Sequence, residues 1–384
     1  MNDTLKDLMR EATQLTQAGR LKEATAVIQR MLSATAPAEP PLKPFASAPF
    51  ASPAPNHADT SPQVLDGCVF EAPRPSPTDE WQLKQSPAPA SKITGEFISG
   101  THTQASLTRR YKLYVPPGHD GQQRPLVVML HGCTQNPDDF AAGTGMNERA
   151  QAQGFFVLYP EQSKEANAHL CWNWFKHNHQ QRGKGEPALI ADMTQEIIKQ
   201  HGIDTRRVYI VGLSAGAAMA TLVAAAYPDV FAAVGAHSGL PNGVARNVQE
   251  AMALMQSGAS IHGQPVCTPS ARQPPVPTIV FHGDQDKTVH PRNGEEVIAA
   301  VLGSAASTAP AQVEQGQVPN GRRYTRSTHQ GDQGKVLAEH WLVHGANHAW
   351  SGGNVKGSYT DATGPDATGE ILRFFFEHPL NLLP

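Results

Sequence analysis

Cysteine and charge are both scarce in this sequence. Its 384 residues include four cysteines, and no two of them have the C-x-x-C spacing that is typical of zinc sites. Only 17% of the residues are charged and the formal net charge is −3, so electrostatics give no reason to expect a nucleic-acid partner. We therefore expect neither a metal centre nor nucleic-acid binding.

Long apolar runs are also missing. No stretch reaches the roughly 18 consecutive apolar residues that a transmembrane helix needs. The first residues, MNDTLKDLMREATQ, mix acidic and basic side chains and contain no apolar core segment, unlike a secretory signal peptide. The sequence thus predicts no membrane span, and the lack of a signal favours a cytoplasmic location.

Composition divides the chain into three regions. Residues 1–35 carry apolar side chains at helical spacing on both sides of Gly19, which predicts a small helical hairpin. Residues 36–91 contain 13 of the 32 prolines and are predicted to be a largely disordered Pro/Ala-rich linker. Residues 92–384 are predicted to be the catalytic domain. The hairpin is expected to dock on its own chain or, alternatively, to contact a protein partner or a polymer granule.

From residue 92 onwards, short apolar runs alternate with segments of helical periodicity. PLVVML at 125–130 is a continuous apolar run, as expected for a strand buried on both faces. Helices are predicted over 188–201 and 367–376, and the apolar run VYIV lies at 208–211. This alternation predicts β-α-β units with right-handed crossovers, and hence an α/β fold with a mostly parallel central sheet flanked by helices.

The sequence GLSAG joins that apolar run to a series of small helix formers. In such a strand–turn–helix context, G-x-S-x-G forms a nucleophile elbow that exposes its serine, here Ser214. The five-residue pattern also arises by chance, and an ordinary glycine-rich turn is the alternative. The flanking strand and helix signals favour a nucleophile, and the N–H of Ala215 at the helix start is then placed to bind an oxyanion.

Two later segments supply candidate acids and bases. Asp284 and Asp286 follow the apolar run TIVF, and a triad acid is expected at such a strand end. We favour Asp286, because the first acid of such a pair more often caps the turn. His344 and His348 lie in WLVHGANHAWSGG, and we favour His348 because a loop position has more freedom to reach Ser214. The order Ser, Asp, His is the order that α/β-hydrolases use.

The loop after the first central strand is the candidate for the second half of an oxyanion hole. It begins His131-Gly132-Cys133, and a loop at this place supplies a backbone N–H in α/β-hydrolases. We assign that N–H to Cys133, the alternative being an ordinary strand-end turn. A serine mechanism with these parts needs no metal and no organic cofactor, and none is predicted.

Several phrases resemble the polyhydroxybutyrate (PHB) depolymerase-type esterases of the α/β-hydrolase superfamily, whose relatives include feruloyl and acetylxylan esterases. They are RRYKLYVPP, VVMLHGCTQNPDDF, CWNWF, GLSAGAAMA, AYPDVFAAVGAHSG, HGDQDKTV and HAWSGG. The resemblance implies hydrolysis of a short-chain polyhydroxyalkanoate polymer or its oligomers. The alternatives are a feruloyl, acetylxylan or small carboxylic ester and, from another class, a non-catalytic binding protein that acts through residues 1–35.

The resemblance also implies roles for individual residues. It makes Ser214, Asp286 and His348 the catalytic triad, and it assigns the oxyanion hole to Cys133 and Ala215. The resembled family is mostly secreted, which conflicts with the lack of a signal, so the compartment stays open.

Aromatic residues and cysteines near the predicted cleft give two further expectations. Trp172, Trp174 and Trp350 are predicted to line an apolar substrate subsite, although core packing explains Trp174 equally well. Cys133 and Cys171 lie in two loops that should both reach the cleft, and we predict a disulfide between them. A cytoplasmic location would argue against that bond, because thiols stay reduced there.

Overall fold

The computed structural model describes residues 94–118, 121–258, 275–303, 310–331 and 334–380. The predicted hairpin (1–35) and linker (36–91) lie outside the described residues, so both remain predictions. Within the part of the chain that is described, no helix combines the length and the apolar character needed to cross a bilayer.

The described residues form a central sheet with helices on both sides. The strands are β1 (Glu96–Gln104), β2 (Leu107–Val115), β3 (Leu126–Leu130), β4 (Phe156–Pro160), β5 (Val208–Leu213), β6 (Ala233–His237), β7 (Thr278–Gly283), β8 (Gln312–Gln317), β9 (Arg323–Gln330), β10 (Val336–Val343), β11 (Trp350–Ser351) and β12 (Thr360–Asp361). The α-helices are α1 (Pro137–Thr144), α2 (Met146–Gln153), α3 (Gly185–His201), α4 (Ala215–Ala226), α5 (Val248–Ser257), α6 (Arg292–Leu302) and α7 (Ala367–Glu377).

The order of the main sheet is β1-β2-β4-β3-β5-β6-β7-β10-β9-β8. Its central block from β4 to β10 is parallel, and antiparallel strands flank the block at both edges. The predicted mostly parallel sheet flanked by helices is therefore confirmed. Because the carboxyl ends of parallel strands meet at one edge, the loops after β3, β5, β7 and β10 share that edge.

Both faces of the sheet are buried. Along β3, Val128 and Leu130 enter one hydrophobic cluster with residues of α3 and α4, whereas Val127 and Met129 enter another with residues of α1, α2 and α7. Successive side chains of a strand point to opposite faces. A strand covered on both faces must therefore be apolar throughout, which explains the run PLVVML.

Three buried histidines are held in the neutral form by the fold. Burial lowers the pKa of His131 from 6.5 to about 4. Burial, reinforced by the neighbouring His282 and other groups, lowers the pKa of His237 and of His340 to about 3. In the folded protein each imidazole therefore stays neutral at pH values where a histidine in the unfolded chain is already protonated.

We expect these histidines to make the protein less stable as the pH falls below about 6.5. Between that pH and about 4, the unfolded chain binds protons at these positions and the folded chain does not, so the free energy of unfolding decreases with falling pH. The decrease is at most about 1.4 kcal/mol per pH unit for each histidine. Urea unfolding at about pH 7.5 and about pH 5 measures it, and an equal or higher free energy at the lower pH would contradict the expectation.

Candidate active site

Ser214 lies on the sharp turn between β5 and α4. Its backbone has φ 58° and ψ −120°, a region that residues other than glycine rarely adopt. Its N–H donates to the carbonyl of His237 at 2.9 Å, and its own carbonyl accepts from the N–H of Ala218 at 3.0 Å. These bonds hold the strained turn at the carboxyl edge of the sheet.

Asp286 and His348 form a hydrogen-bonded acid–histidine pair. The Nδ1 atom of His348 lies 2.7 Å from Oδ2 of Asp286, whose side chain is fully buried. The other carboxylate oxygen accepts from the N–H groups of Thr288 and Val289, both at 2.9 Å. Burial by itself would raise the pKa of Asp286, but hydrogen bonds from His282 and His348 hold it well below its usual range. The resulting anion favours the His348 tautomer that carries its proton on Nδ1 and leaves Nε2 as the base.

The alternative acid and base form a separate pair. His344 Nδ1 lies 3.0 Å from Oδ2 of Asp284, and His344 Nε2 lies 2.9 Å from the hydroxyl of Thr325. The other oxygen of Asp284 accepts from the N–H of Gly345 at 2.7 Å. Both nitrogens of His344 are therefore engaged, which leaves neither free to take a proton from a serine.

Strand order brings the Ser214 turn close to the loop that carries His348. His237, at the end of β6, accepts the Ser214 N–H on its carbonyl and the Ser351 N–H on Nε2, the latter at 2.9 Å. Between the described residues Ser214 and His348 no side-chain hydrogen bond is formed. Such catalytic bonds often tighten only when substrate is bound. The structure thus places the three predicted triad residues at one edge, with two of them in direct contact.

The loop after β3 contains the candidate oxyanion donor at Cys133. The neighbouring N–H groups are used within the protein: that of Gly132 donates to Oε1 of Gln135 at 2.9 Å, and that of Thr134 to the carbonyl of His169 at 2.8 Å. Among the described hydrogen bonds, none uses the N–H of Cys133 or that of Ala215. These two groups are therefore available to a negatively charged oxygen.

A disulfide joins Cys133 to Cys171, with the two Cα atoms 4.3 Å apart. It links the loop after β3 to the segment CWNWF. This is the pairing that we predicted because both loops were expected to reach the active-site cleft. The bond restrains the backbone at the candidate oxyanion donor.

The tryptophans expected to line the cleft are core residues. Trp172 and Trp174 belong to a hydrophobic cluster, at 0% and 5% exposure. Trp350 is 1% exposed; its ring packs edge-on against Phe140 at 5.5 Å, and its N–H donates to Thr368 at 3.0 Å. The structure contradicts the prediction of an open aromatic subsite at these positions, because the three side chains are buried in the hydrophobic clusters of the core.

His282 is a neighbour of the site that the sequence analysis did not single out. Its buried ring contacts Asp286, with Nε2 2.8 Å from the carbonyl of Val289 and 3.4 Å from Oδ2 of Asp286. His282 and His348 therefore both contact the same oxygen of the carboxylate. The phrase HGDQD, with a histidine four positions before the acid, was a signal that could have found it.

Replacing Asp286 with asparagine tests which of the two acid–histidine pairs is catalytic. We expect Asp286→Asn to lower kcat by about 10³–10⁴, because the amide favours the wrong tautomer of the base. Asp284→Asn is the matched control, with the same change on the same loop, and we expect kcat within about threefold of wild type. Steady-state kinetics on a p-nitrophenyl ester measure both variants. The reverse pattern would transfer the role to Asp284 and His344.

The described residues include no cluster of three or more His, Cys, Asp or Glu side chains that could hold a metal ion. A cavity of about 960 Å³ lies beside the loop after β3, bordered by Asn136 and Leu170 and otherwise mainly by polar and charged side chains. Ser214, Asp286 and His348 are not among its lining residues.

Comparison with known proteins relates the chain to esterases. The family model described as "Esterase PHB depolymerase" matches residues 109–308, just over half of the 384 residues. Over 213 residues the chain is 37% identical to poly(3-hydroxyalkanoate) depolymerase C of Paucimonas lemoignei, covering 52% of this chain and 49% of that protein. It is 30% identical over 205 residues to probable acetylxylan esterase A of Aspergillus flavus, covering 48% of this chain and 64% of that protein. The chain thus spans about half to two thirds of the length of these relatives.

Among solved structures, the acetyl xylan esterase from Aspergillus awamori aligns with a TM-score of 0.58 at 20% sequence identity. The alignment covers 73% of this chain and 99% of that one. At this identity the likeness concerns the fold alone. The fold is that of the α/β-hydrolases.

Proposed function

Since this chain belongs to the esterase PHB depolymerase family, we propose that it hydrolyses carboxylic esters with Ser214 as the nucleophile. The main support is the 2.7 Å contact between Asp286 and His348 at the sheet edge that also carries the strained Ser214 turn. A buried carboxylate that orients an imidazole beside a serine is the arrangement that activates a hydroxyl for acyl transfer.

The first half of the reaction forms an acyl-enzyme. Nε2 of His348 takes the proton of Ser214 as the hydroxyl oxygen attacks the ester carbonyl, while Asp286 stabilises the imidazolium. The N–H groups of Cys133 and Ala215 bind the oxyanion, each contributing about 3–4 kcal/mol. As the tetrahedral intermediate collapses, His348 returns the proton to the leaving alcohol.

The second half releases the acid. Water attacks the acyl-enzyme, His348 takes one of its protons, and the same two N–H groups bind the second oxyanion. Collapse expels the oxygen of Ser214, which regains its proton from His348, and the carboxylic acid leaves. The cycle balances without a metal or an organic cofactor.

For the substrate we propose a polyhydroxyalkanoate of short-chain hydroxy acids, as polymer or as oligomers. The support is the 37% identity to a poly(3-hydroxyalkanoate) depolymerase. The alternative is an acetylxylan, feruloyl or small carboxylic ester, supported by the 30% identity to an acetylxylan esterase.

A substrate panel separates these possibilities. The purified chain is assayed on PHB film, a 3-hydroxybutyrate trimer, p-nitrophenyl butyrate, methyl ferulate and acetylated xylan, with Ser214→Ala as the blank. We expect the highest kcat/KM on the hydroxybutyrate trimer. Faster release of acetate from xylan would make the polysaccharide ester the substrate, and no hydrolysis of any of them would end the esterase proposal.

Contact with a protein partner or a polymer granule through residues 1–35 is a separate proposal. Those residues lie outside the described part of the chain. Pull-down on PHB granules with and without residues 1–35 tests it, and equal binding of the two chains would refute a granule contact.

A further inference from the structure

Tyr359 connects the two loops that carry the candidate site. Its carbonyl accepts the N–H of Trp350 at 2.7 Å, just after His348 in the chain. Its hydroxyl lies 3.1 Å from the hydroxyl oxygen of Thr134, the residue next to Cys133. Tyr359 is thus bonded both to the segment that follows His348 and to the residue next to the candidate oxyanion donor Cys133.

The contact between Tyr359 and Thr134 has a defined direction. The Thr134 hydroxyl donates to the carbonyl of Cys133 at 2.6 Å, which uses its single proton. The phenol of Tyr359 is therefore the donor in the contact with Thr134. Both residues have positive φ, 53° at Tyr359 and 66° at Thr134, which residues other than glycine rarely adopt. Such a conformation persists only where the surrounding contacts enforce it.

The residue before Tyr359 is anchored to the loop after β3 and to the first turn of α1. The N–H and hydroxyl of Ser358 donate to the carboxylate of Asp139 at 2.8 and 2.5 Å, and the side-chain amide of Gln135 donates to the Ser358 carbonyl at 3.2 Å. The same Gln135 side chain accepts the N–H of Gly132 at 2.9 Å. Tyr359 thus has a fixed position relative to the candidate oxyanion hole.

The Tyr359 side chain remains accessible, at 46% exposure, whereas Trp172, Trp174 and Trp350 are buried. A tyrosine whose hydroxyl is anchored presents a rigid apolar surface and loses little side-chain entropy when a ligand covers it. We propose that Tyr359 is a substrate-binding residue that packs against the part of the ester chain beyond the scissile bond. It thereby favours extended substrates such as hydroxyalkanoate oligomers over short acyl esters. This inference rests on the ester hydrolysis proposed above.

Kinetics on a long and a short ester test the role of the ring. We expect Tyr359→Ala to raise KM for a 3-hydroxybutyrate trimer about tenfold, which corresponds to about 1.4 kcal/mol, and to change KM for p-nitrophenyl acetate by less than about twofold. Tyr359→Phe keeps the ring and should stay within about threefold of wild type on the trimer. Val355→Ala is the matched control, since Val355 is 82% exposed in the same loop, and it should change neither KM.

Each contrary result has a separate meaning. An equal loss of kcat on both esters in Tyr359→Ala, with KM unchanged, would show that the residue only holds the oxyanion loop and would overturn the proposal. An unchanged KM for the trimer in Tyr359→Ala would also overturn the proposal. An equal rise of the trimer KM in Val355→Ala would overturn it as well. If the alanine variant does not fold, Tyr359→Gly, which suits the positive φ, takes its place. Wild-type protein that hydrolyses neither ester would refute the proposed function itself, before any variant is compared.

Discussion

Replacing Ser214 with alanine is expected to lower kcat by about 10⁴ or more and to leave the fold intact. The reason is that the proposed reaction has no other nucleophile: the acid–histidine pair can activate a hydroxyl, but it cannot replace one. The variant loses a single oxygen atom, and the Ser214 backbone bonds to His237 and Ala218 do not involve the side chain. Burst and steady-state kinetics on p-nitrophenyl butyrate measure the loss.

Ser238 offers a matched control for this substitution. It directly follows the neighbouring strand β6, with φ 51°, close to the 58° of Ser214, and it is also buried. We expect Ser238→Ala to keep kcat within about one order of magnitude. A fluorophosphonate probe should label the wild type and the Ser238 variant but not the Ser214 variant. Nearly normal turnover after loss of Ser214 would end the serine mechanism, and no labelling of the wild type would favour the binding-protein alternative.

The central fold could be predicted because burial dictates it. The predicted helix over 188–201 is observed as Gly185–His201, and the predicted helix over 367–376 as Ala367–Glu377. The continuous apolar runs became inner strands of the parallel block, since only a strand covered on both faces needs to be apolar at every position. Agreement is therefore closest where the hydrophobic pattern alone determines the structure.

The edge of the sheet formed by β9 and β8 could not be predicted in the same way. Strand β8 has the sequence QVEQGQ and is mostly exposed, so its pairing with β9 comes from main-chain hydrogen bonds rather than from a hydrophobic pattern.

Helix α1 was not predicted, although the sequence contains a signal for its start. Asn136 caps it by accepting the Asp139 N–H at 2.9 Å, and Pro137 occupies its first turn.

At the candidate site, residues that belong to a local sequence motif could be predicted, whereas contacts between distant parts of the chain could not. Motif order led to Ser214, Asp286 and His348, because each lies in the turn or loop that follows a strand defined by an apolar run. The tryptophan prediction failed because an aromatic residue near a motif has the same hydrophobicity in a core and in a cleft. Tyr359 could not be found at all, since its contact with Thr134 joins residues 225 positions apart.

The glycine after Ala215 provides a test of how closely the elbow is packed. A Cβ on Gly216 would lie 2.0 Å from the carbonyl oxygen of Leu130 and 2.6 Å from that of His131. Both are backbone atoms at the end of β3, so they cannot be moved by a change of rotamer. Helix α4 therefore begins directly against the strand whose following loop holds Cys133.

Gly216→Ala is accordingly expected to destabilise the protein by about 3 kcal/mol or more, although alanine normally favours a helix by about 1 kcal/mol over glycine. Any molecules that fold must shift α4 away from β3, which separates the Ala215 N–H from Cys133 and should lower kcat by about 10². Urea unfolding and ester kinetics measure the two effects. Gly331→Ala is the control, because the nearest atom to its added Cβ is a side-chain carbon of Leu337 at 3.3 Å. If the Gly216 variant were as stable and active as the control, the close packing of elbow and oxyanion loop would not be a requirement of the site.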